Sequence, residues 1–426
     1  MPWPNHSSNT LSVSLAPLHF RMPAEWTPHA ATWLAWPHYH GDWPGKFEPI
    51  PWVYTEIIRN LARHERVELI VNDAASERKV CKLLQRADAD LTNVRFHRHP
   101  TNRVWLRDSG AIFCTCGSDT PVRGVPKASL KLSGNRDREG HDFSFEPALS
   151  KRSAPKGAAH DSYQGTTSAV PHGGKIDGAS APEGNLLALN FRFTAWAKYS
   201  NFSHDQKIGS LMSAVANVKE LRPLHHNTRI VLEGGSIDVN GDGTILTTEE
   251  CLLSKIQQRN PGMSRKDYES LFATTLGAPH TIWLGKGIVG DDTHGHVDDL
   301  TRFVSPNTVV TMIEHNRKDA NHKPLAENFR RLRAATDQDG QPLNLIELPM
   351  PAPVIFEQHR LPASYANFYI ANGIVLVPIF NDPNDRIALN TLADLFPTRE
   401  IVPIYSGDLV WGLGTMHCMT QQQPTP

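Results

Sequence analysis

"SYANFYIANGIVLVPIF", residues 364–380, holds two apolar runs separated by Asn372-Gly373. That dipeptide suits the positive φ angles of a type I′ turn, so the stretch reads as a β-hairpin. Its second run, "GIVLVPIF" (373–380), has two weaker counterparts upstream, "VVTMI" (309–313) and "TILTT" (244–248). The three recur at roughly 65-residue intervals, and acidic or Asn residues follow each of them. Repetition at that spacing hints at repeated units arranged around an axis.

Between and before these runs, strand and helix patterns alternate. Val53, Ile57 and Leu61 recur four apart, as on one face of a helix. "RVELIV" (66–71) reads as a strand, and Val80, Leu83 and Leu84 mark a second helix. Further strands are expected at 92–97, 111–116, 186–191 and 229–233, and a helix over 206–218 carries Ile208, Leu211, Val215 and Val218 on one face. Ser264 with Asp267 reads as a helix start with a capping-box-like pair. Alternation of this kind argues an α/β class. A polar leader (1–20) precedes a single catalytic domain (21–426). That domain is interrupted at about 117–184 by a stretch rich in Ser, Gly, Pro, Lys and Asp, which is read as an inserted, disordered loop.

Composition bounds the functional classes. The chain has 426 residues, 39 % hydrophobic and 20 % charged, with a net charge of −1. Near-neutrality gives no electrostatic footprint for nucleic acid or an anionic membrane. No run approaches the ~18 apolar residues of a membrane helix. The first twenty residues lack the basic start and sustained apolar run of a secretory signal. Five cysteines (81, 114, 116, 251 and 418), without C-x-x-C spacing, fit a reducing, cytoplasmic setting better than a disulfide framework or a zinc cluster.

Four segments could carry chemistry. "WLRDSG" (105–110) sets Arg107 and Asp108 beside Trp105; it is either a surface ion pair or a carboxylate for a cation with an aromatic cover. Asp238, Asn240, Asp242, Gly243 and Glu249 match a calcium-loop spacing, but the preceding "RIVLEGGS" reads as a strand where that motif needs a helix, so a hairpin at Asn240-Gly241 is expected instead. "GDDTHGHVDDLTRF" (290–303) offers His294-x-His296-x-Asp298-Asp299. This is a metal-like spacing, but it equally fits a polar loop or metal-free acid/base work. Finally, "GLGTMHCMTQQQP" (412–424) brings Cys418 close to the chain end. If that segment is extended, neighbouring side chains point to opposite faces. His417 would then face away from Cys418, and His296 would be the better partner.

Taken together, "MPAEWTPHAATWLAWPH", "WLRDSG", "LEGGSIDVNGDG", "GDDTHGHVDDLTRFV", "SYANFYIANGIVLVPIFNDPND" and "DLVWGLGTMHCMTQQQP" closely resemble the agmatine deiminase family (the Porphyromonas-type peptidyl-arginine deiminase family) of the amidinotransferase superfamily. The resemblance implies a five-bladed, pseudo-symmetric α/β propeller of ββαβ units with the active site on its axis. It further implies hydrolysis of agmatine to N-carbamoylputrescine and ammonia, a step toward putrescine, with no metal or cofactor. Cys418 would be the nucleophile, His296 the acid/base group, and Asp108 and Asp298 the carboxylates that hold the guanidinium. Glu233 would add an acceptor, Trp105 and Trp196 ("FTAWAKY") would cover the substrate stem, and Asp292 would meet a distal amine. A thiol suits this task because a guanidinium stays protonated in water and is a poor target for water itself.

The match departs from the family pattern at points that bear on specificity. Arg103 stands where the first motif has Asp, Ser109 where an aromatic is common, and Ala111 where Pro is usual. Leu413 and Thr415 interrupt the last motif, and His294 replaces a frequent Asp. Free arginine, peptidyl-arginine and other alkylguanidines therefore stay open as substrates, and a homodimer stays open as the assembly. Two other classes remain: a metallohydrolase built on His294, His296 and Asp298, and a non-catalytic guanidine- or amine-binding protein.

Overall fold

The computed structural model describes residues 20–116 and 186–426. The leader, apart from Phe20, and the 117–184 stretch lie outside the described residues. Among those that are described, no helix is long and apolar enough to cross a membrane.

The three repeated runs form the middle strands of three sheets built alike. Thr244–Thr248 pairs antiparallel with Asp238–Val239 and parallel with His280–Leu284. Thr308–Ile313 does the same with Thr301–Ser305 and Asn344–Pro349, and Ile374–Ile379 with Tyr369–Ala371 and Glu400–Tyr405. A parallel neighbour needs a crossover, and here it contains a helix: Arg265–Leu271 in the first, His322–Arg333 in the second and Pro383–Leu395 in the third. Two four-stranded sheets repeat the scheme. Leu186–Leu189 lies antiparallel to Ile112–Cys116 and parallel to Lys219–Leu221, with Ile208–Ala216 between. His29–Ala35 lies antiparallel to the C-terminal strand Gln421–Pro424 and parallel to Val67–Val71, with Ile50–Leu61 between. The architecture is mixed α/β.

Local chemistry explains these boundaries. The helix Arg265–Leu271 starts at Ser264, whose hydroxyl and Asp267 form a reciprocal capping box. Pro383 opens its helix at the first turn behind an Asp382 cap, where a missing N–H is tolerated. Two expectations need correction. In the 364–380 hairpin, the left-handed φ falls on Gly373 (+71°) but not on Asn372, so the turn is not type I′. Tertiary bonds override the local preference: the Asn372 side chain accepts from His29 N (2.9 Å) and donates to His29 O (2.8 Å). The strand expected at 229–233 shrinks to Thr228–Arg229 plus a single bridge between Arg192 and Val231. The calcium-like spacing does form a hairpin, Asp238–Val239 with Thr244–Thr248, and its acids are committed to cations: Asp238 to Arg302, and Glu249 to Arg265 and Arg331.

One feature common to the five sheets positions the site. A short helical turn precedes the first strand of each: Leu106–Ser109, Gly234–Ser236, Val297–Asp299, Tyr365–Asn367 and Met416–Met419. Each turn packs against the next in chain order, and the last packs against the first. The C-terminal turn does not fray, because the strand that follows it is paired with His29–Ala35 and Trp33 Nε1 donates to Gln423 Oε1 (3.0 Å).

Candidate active site

The ring of turns brings residues from distant parts of the chain into one buried cluster. Asp108, Asp298 and Cys418 come from three of the turns, and His296 from the residue that caps one of them. Gly235 lies among them. A Cβ built on it would stand 2.6 Å from His296 Nδ1, 2.9 Å from Asp298 Oδ2 and 3.1 Å from Asp108 Oδ1. Only a residue without a side chain lets these groups approach so closely. Its N–H donates to Asp108 Oδ1 (3.0 Å).

A cavity of about 80 Å³ opens onto this cluster, lined by Asp42, Arg103, Trp105, Asp108, Trp196, Tyr199, Asp292, Leu413 and Cys418 among others. Trp196 Nε1 donates to Asp108 Oδ2 (2.8 Å). Trp196 sits in an unusual backbone: Ala195, Trp196 and Ala197 all have φ between +46° and +58°. Left-handed geometry costs an L-residue roughly 1–2 kcal/mol, so three in succession mark a strained loop held by its surroundings. Trp105 and Trp196 belong to the same apolar cluster as Trp33, Trp43 and Cys418.

Beneath the cavity runs a buried charge network. Glu25 accepts from Arg302 (2.9 Å) and Arg107 (3.2 Å), and it meets His417 Nε2 at 2.8 Å. His417 Nδ1 meets Asp298 Oδ2 at 2.7 Å. Burial raises the Asp298 pKa, but the His417 hydrogen bond and charge outweigh it and hold Asp298 below the usual carboxylate range. At Asp108 burial outweighs the nearby His296 and the Trp196 hydrogen bond and pushes the pKa up to about 6. Burial, followed by the charges of Asp298, Asp299 and Asp108, drives the Cys418 thiol well above its ordinary value, so the cavity by itself favours the neutral thiol. Cys418 Sγ lies 3.7 Å from Asp298 Oδ2 and accepts from Asn367 Nδ2 (3.1 Å). His296 is buried with neither ring nitrogen hydrogen-bonded, and its Nδ1 lies 3.8 Å from Asp108 Oδ1. Burial disfavours its charged form, but Asp108, Cys251 and Asp298 reverse that and raise its pKa well above the usual value.

The remaining sequence candidates fall into place or apart. Cys418, Asp108, Trp105, Trp196 and Asp292 line the cavity, while His296 and Asp298 are buried beside its lining residues Asp108 and Cys418. Glu233 is fully buried and is not part of the cavity wall; its Oε1 accepts from Arg259 Nε (3.1 Å). Asp292 is already engaged, by the Lys198 ammonium and by Tyr199 Oη (2.6 Å). Asp291 points inward and accepts from the backbone N–H groups of Thr293, Gly295 and His296, which holds that loop in shape. The His294-x-His296-x-Asp298 spacing does not converge. His294 takes φ +67°, bonds Ser254 Oγ (3.0 Å) and lines a separate groove, while Asp298 is held by His417. Nor does His417 face solvent or point away from the site. Met416–Met419 is a helical turn and not a strand, so the alternation argument fails there. Arg107 and Asp108 form no surface pair either: both are buried, and Arg107 pairs with Glu25.

Glu25, Asn367, Gly235 and His417 were not legible as site residues. Glu25 and Asn367 sit inside the quoted stretches without any spacing that marks chemistry. The double glycine at 234–235 was the one available signal, since adjacent glycines ahead of a strand imply a close approach.

Comparisons with known proteins point to one family. The model of the Porphyromonas-type peptidyl-arginine deiminase family matches residues 21–160 and 165–424, and so runs across most of the 117–184 stretch as well. A relative from Legionella pneumophila is 30 % identical over 410 residues, 95 % of each chain. The agmatine deiminase of Pseudomonas fluorescens is 28 % identical over 430 residues, 96 % of each chain. Among solved structures, the substrate-bound agmatine deiminase of C. jejuni aligns with a TM-score of 0.70 at 25 % identity, covering 95 % of this chain and 96 % of the other.

Proposed function

This chain belongs to the Porphyromonas-type peptidyl-arginine deiminase family, and we propose on that premise that it hydrolyses agmatine to N-carbamoylputrescine and ammonia through a covalent adduct on Cys418. The observation that carries the reading is a thiol set among three buried carboxylates at the floor of a narrow, Trp-walled cavity. Such a site repels a thiolate when empty and welcomes one when a guanidinium enters, because the bound cation offsets the charges of Asp108 and Asp298.

A guanidinium held by Asp108 and Asp298 lets Cys418 lose its proton to solvent, and its sulfur bonds to the guanidine carbon. Protonated His296 gives its proton to the departing nitrogen, the C–N bond breaks, and ammonia leaves behind an S-alkylthiouronium. Neutral His296 then takes a proton from water, the oxygen bonds to the carbon, and the C–S bond breaks to release the urea product and the thiol. Glu233 holds Arg259 behind this group, and Trp105 and Trp196 flank the apolar stem. The five-bladed propeller belongs to this proposal: five sheets of one connectivity and a ring of five turns support it.

A second reading, a guanidino substrate with a distal carboxylate such as free arginine, is favoured by one observation. The cavity presents the Arg103 guanidinium, which stacks 4.3 Å from the Tyr199 ring centroid and pairs with Asp42, and Lys198 already occupies Asp292. A distal ammonium therefore finds less free negative charge than the sequence suggests. Ammonia release measured across agmatine, arginine and neutral alkylguanidines separates the two. We expect the highest kcat/KM for agmatine. Preference for arginine would transfer the assignment to the second reading, and release from none of them would end both.

A further inference from the structure

Behind the cavity wall, three donors meet that the proposed reaction does not use as a set. Glu233, Cys251 and His296 each offer a ligand atom, and the three atoms lie within 4.8 Å of one another, all buried. Glu233 Oε2 and both ring nitrogens of His296 have no hydrogen-bond partner among the described residues. Buried polar atoms left unpaired are uncommon and unfavourable, so the free Glu233 oxygen and the unbonded His296 ring beside Cys251 call for an explanation.

The elements that carry these donors are tied together. Cys251 lies in the short helix Glu249–Leu253, whose cap Thr248 accepts from Cys251 N (3.0 Å) and donates to Gly295 O (2.5 Å), the residue before His296. Glu250 also accepts from Gly287 N (2.7 Å). Arg259 fixes Glu233 through Oε1 and leaves Oε2 free. A carboxylate, a thiol and an imidazole form a mixed hard and soft donor set of the kind zinc accepts. Bond lengths of about 2.0–2.3 Å place the ligand atoms of a tetrahedral site roughly 3.5 Å apart, so a contraction of about 1 Å would close this one.

We propose that Glu233, Cys251 and His296 form an inhibitory site for a thiophilic divalent cation of the zinc type. On binding, the Cys251 thiol and the protonated His296 ring each lose a proton to solvent, a sulfur–metal bond and a nitrogen–metal bond form, and nothing is oxidised. Inhibition follows on the reading that His296 moves protons in turnover, because a ring nitrogen that holds the metal cannot do so. The nearby Arg259 guanidinium opposes a second cation and keeps the site weaker than a structural zinc centre.

The test uses the full chain as wild type, Cys251→Ser, Cys251→Ala and Cys418→Ala. Zinc is titrated in chelator-buffered assays of the wild type and the two Cys251 variants, each referred to its own metal-free rate, and cobalt(II) is added separately to all four proteins as a spectroscopic probe. We expect EDTA-reversible inhibition of the wild type, with the half-inhibiting zinc concentration raised at least tenfold in both Cys251 variants. A thiolate-to-cobalt absorption band should persist in Cys418→Ala and vanish in Cys251→Ser and Cys251→Ala. A band that follows Cys418, or zinc inhibition unchanged by the Cys251 substitutions, would overturn the proposal. A Cys251-dependent band in a protein that releases ammonia from no guanidino compound would keep the metal site and reject the reaction assigned above.

Discussion

Cys418 and His417 share one turn of helix, and that turn gives them different surroundings: the thiol faces the cavity, while the imidazole links Asp298 to Glu25 beneath it. Removing the imidazole leaves two buried carboxylates short of a partner, at about 1–3 kcal/mol for each stranded group. His417→Ala should therefore lower the thermal midpoint and reduce kcat/KM at least tenfold, whereas an idle neighbour of the nucleophile would leave both unchanged. Asp108 adds a pH signature. With its pKa pushed up to about 6 by burial, it is ionised above that pH and takes a proton as the pH falls through it. A cationic substrate then loses a counter-charge, so kcat/KM should decline on the acid side near pH 6, and a profile flat down to pH 4 would contradict that role. At this scale, the quoted motifs single out Cys418, His296, Asp108 and Asp298, and only the family resemblance gives them roles. Glu25 and His417 were not legible, because their roles depend on contacts hundreds of positions apart and on a helical turn where an extended segment was assumed.

At the scale of elements, register argues that the long stretch after Cys116 is not needed to complete its sheet. Thr115 pairs with Leu186 in an antiparallel ladder, so the strands on either side of 117–184 are immediate neighbours. A turn of a few residues can join antiparallel strands. Replacing 117–184 by a short Gly-Ser linker should leave turnover within a few-fold. Loss of soluble protein or of activity would show that the stretch, into which the family match extends, contributes to the fold or the site. Most elements were readable from period and caps: the helix begun by Ser264, the helix Ile50–Leu61, and the middle strands at 244, 308 and 374. The failures came where tertiary bonds outweighed local preference, as at Asn372, whose side chain is taken up by His29.

Across the whole molecule, the five turns explain how a site can be assembled from positions 108, 296, 298 and 418. Each repeat contributes its turn at the same place in its connectivity, and the ring gathers them. The 65-residue rhythm in three strands carried part of that plan. The other two repeats were hidden: in one the long 117–184 stretch separates paired strands, and the other joins the two ends of the chain. The central claim is that a guanidine carbon bonds to Cys418 during turnover. His296→Ala should form this adduct but resolve it slowly, since a general base is worth about 10²–10⁴ in rate. Peptide mass spectrometry of His296→Ala quenched after incubation with agmatine should therefore find the amidino adduct on the peptide that contains Cys418. An unmodified Cys418, or an adduct on Cys251 in its place, would contradict the account.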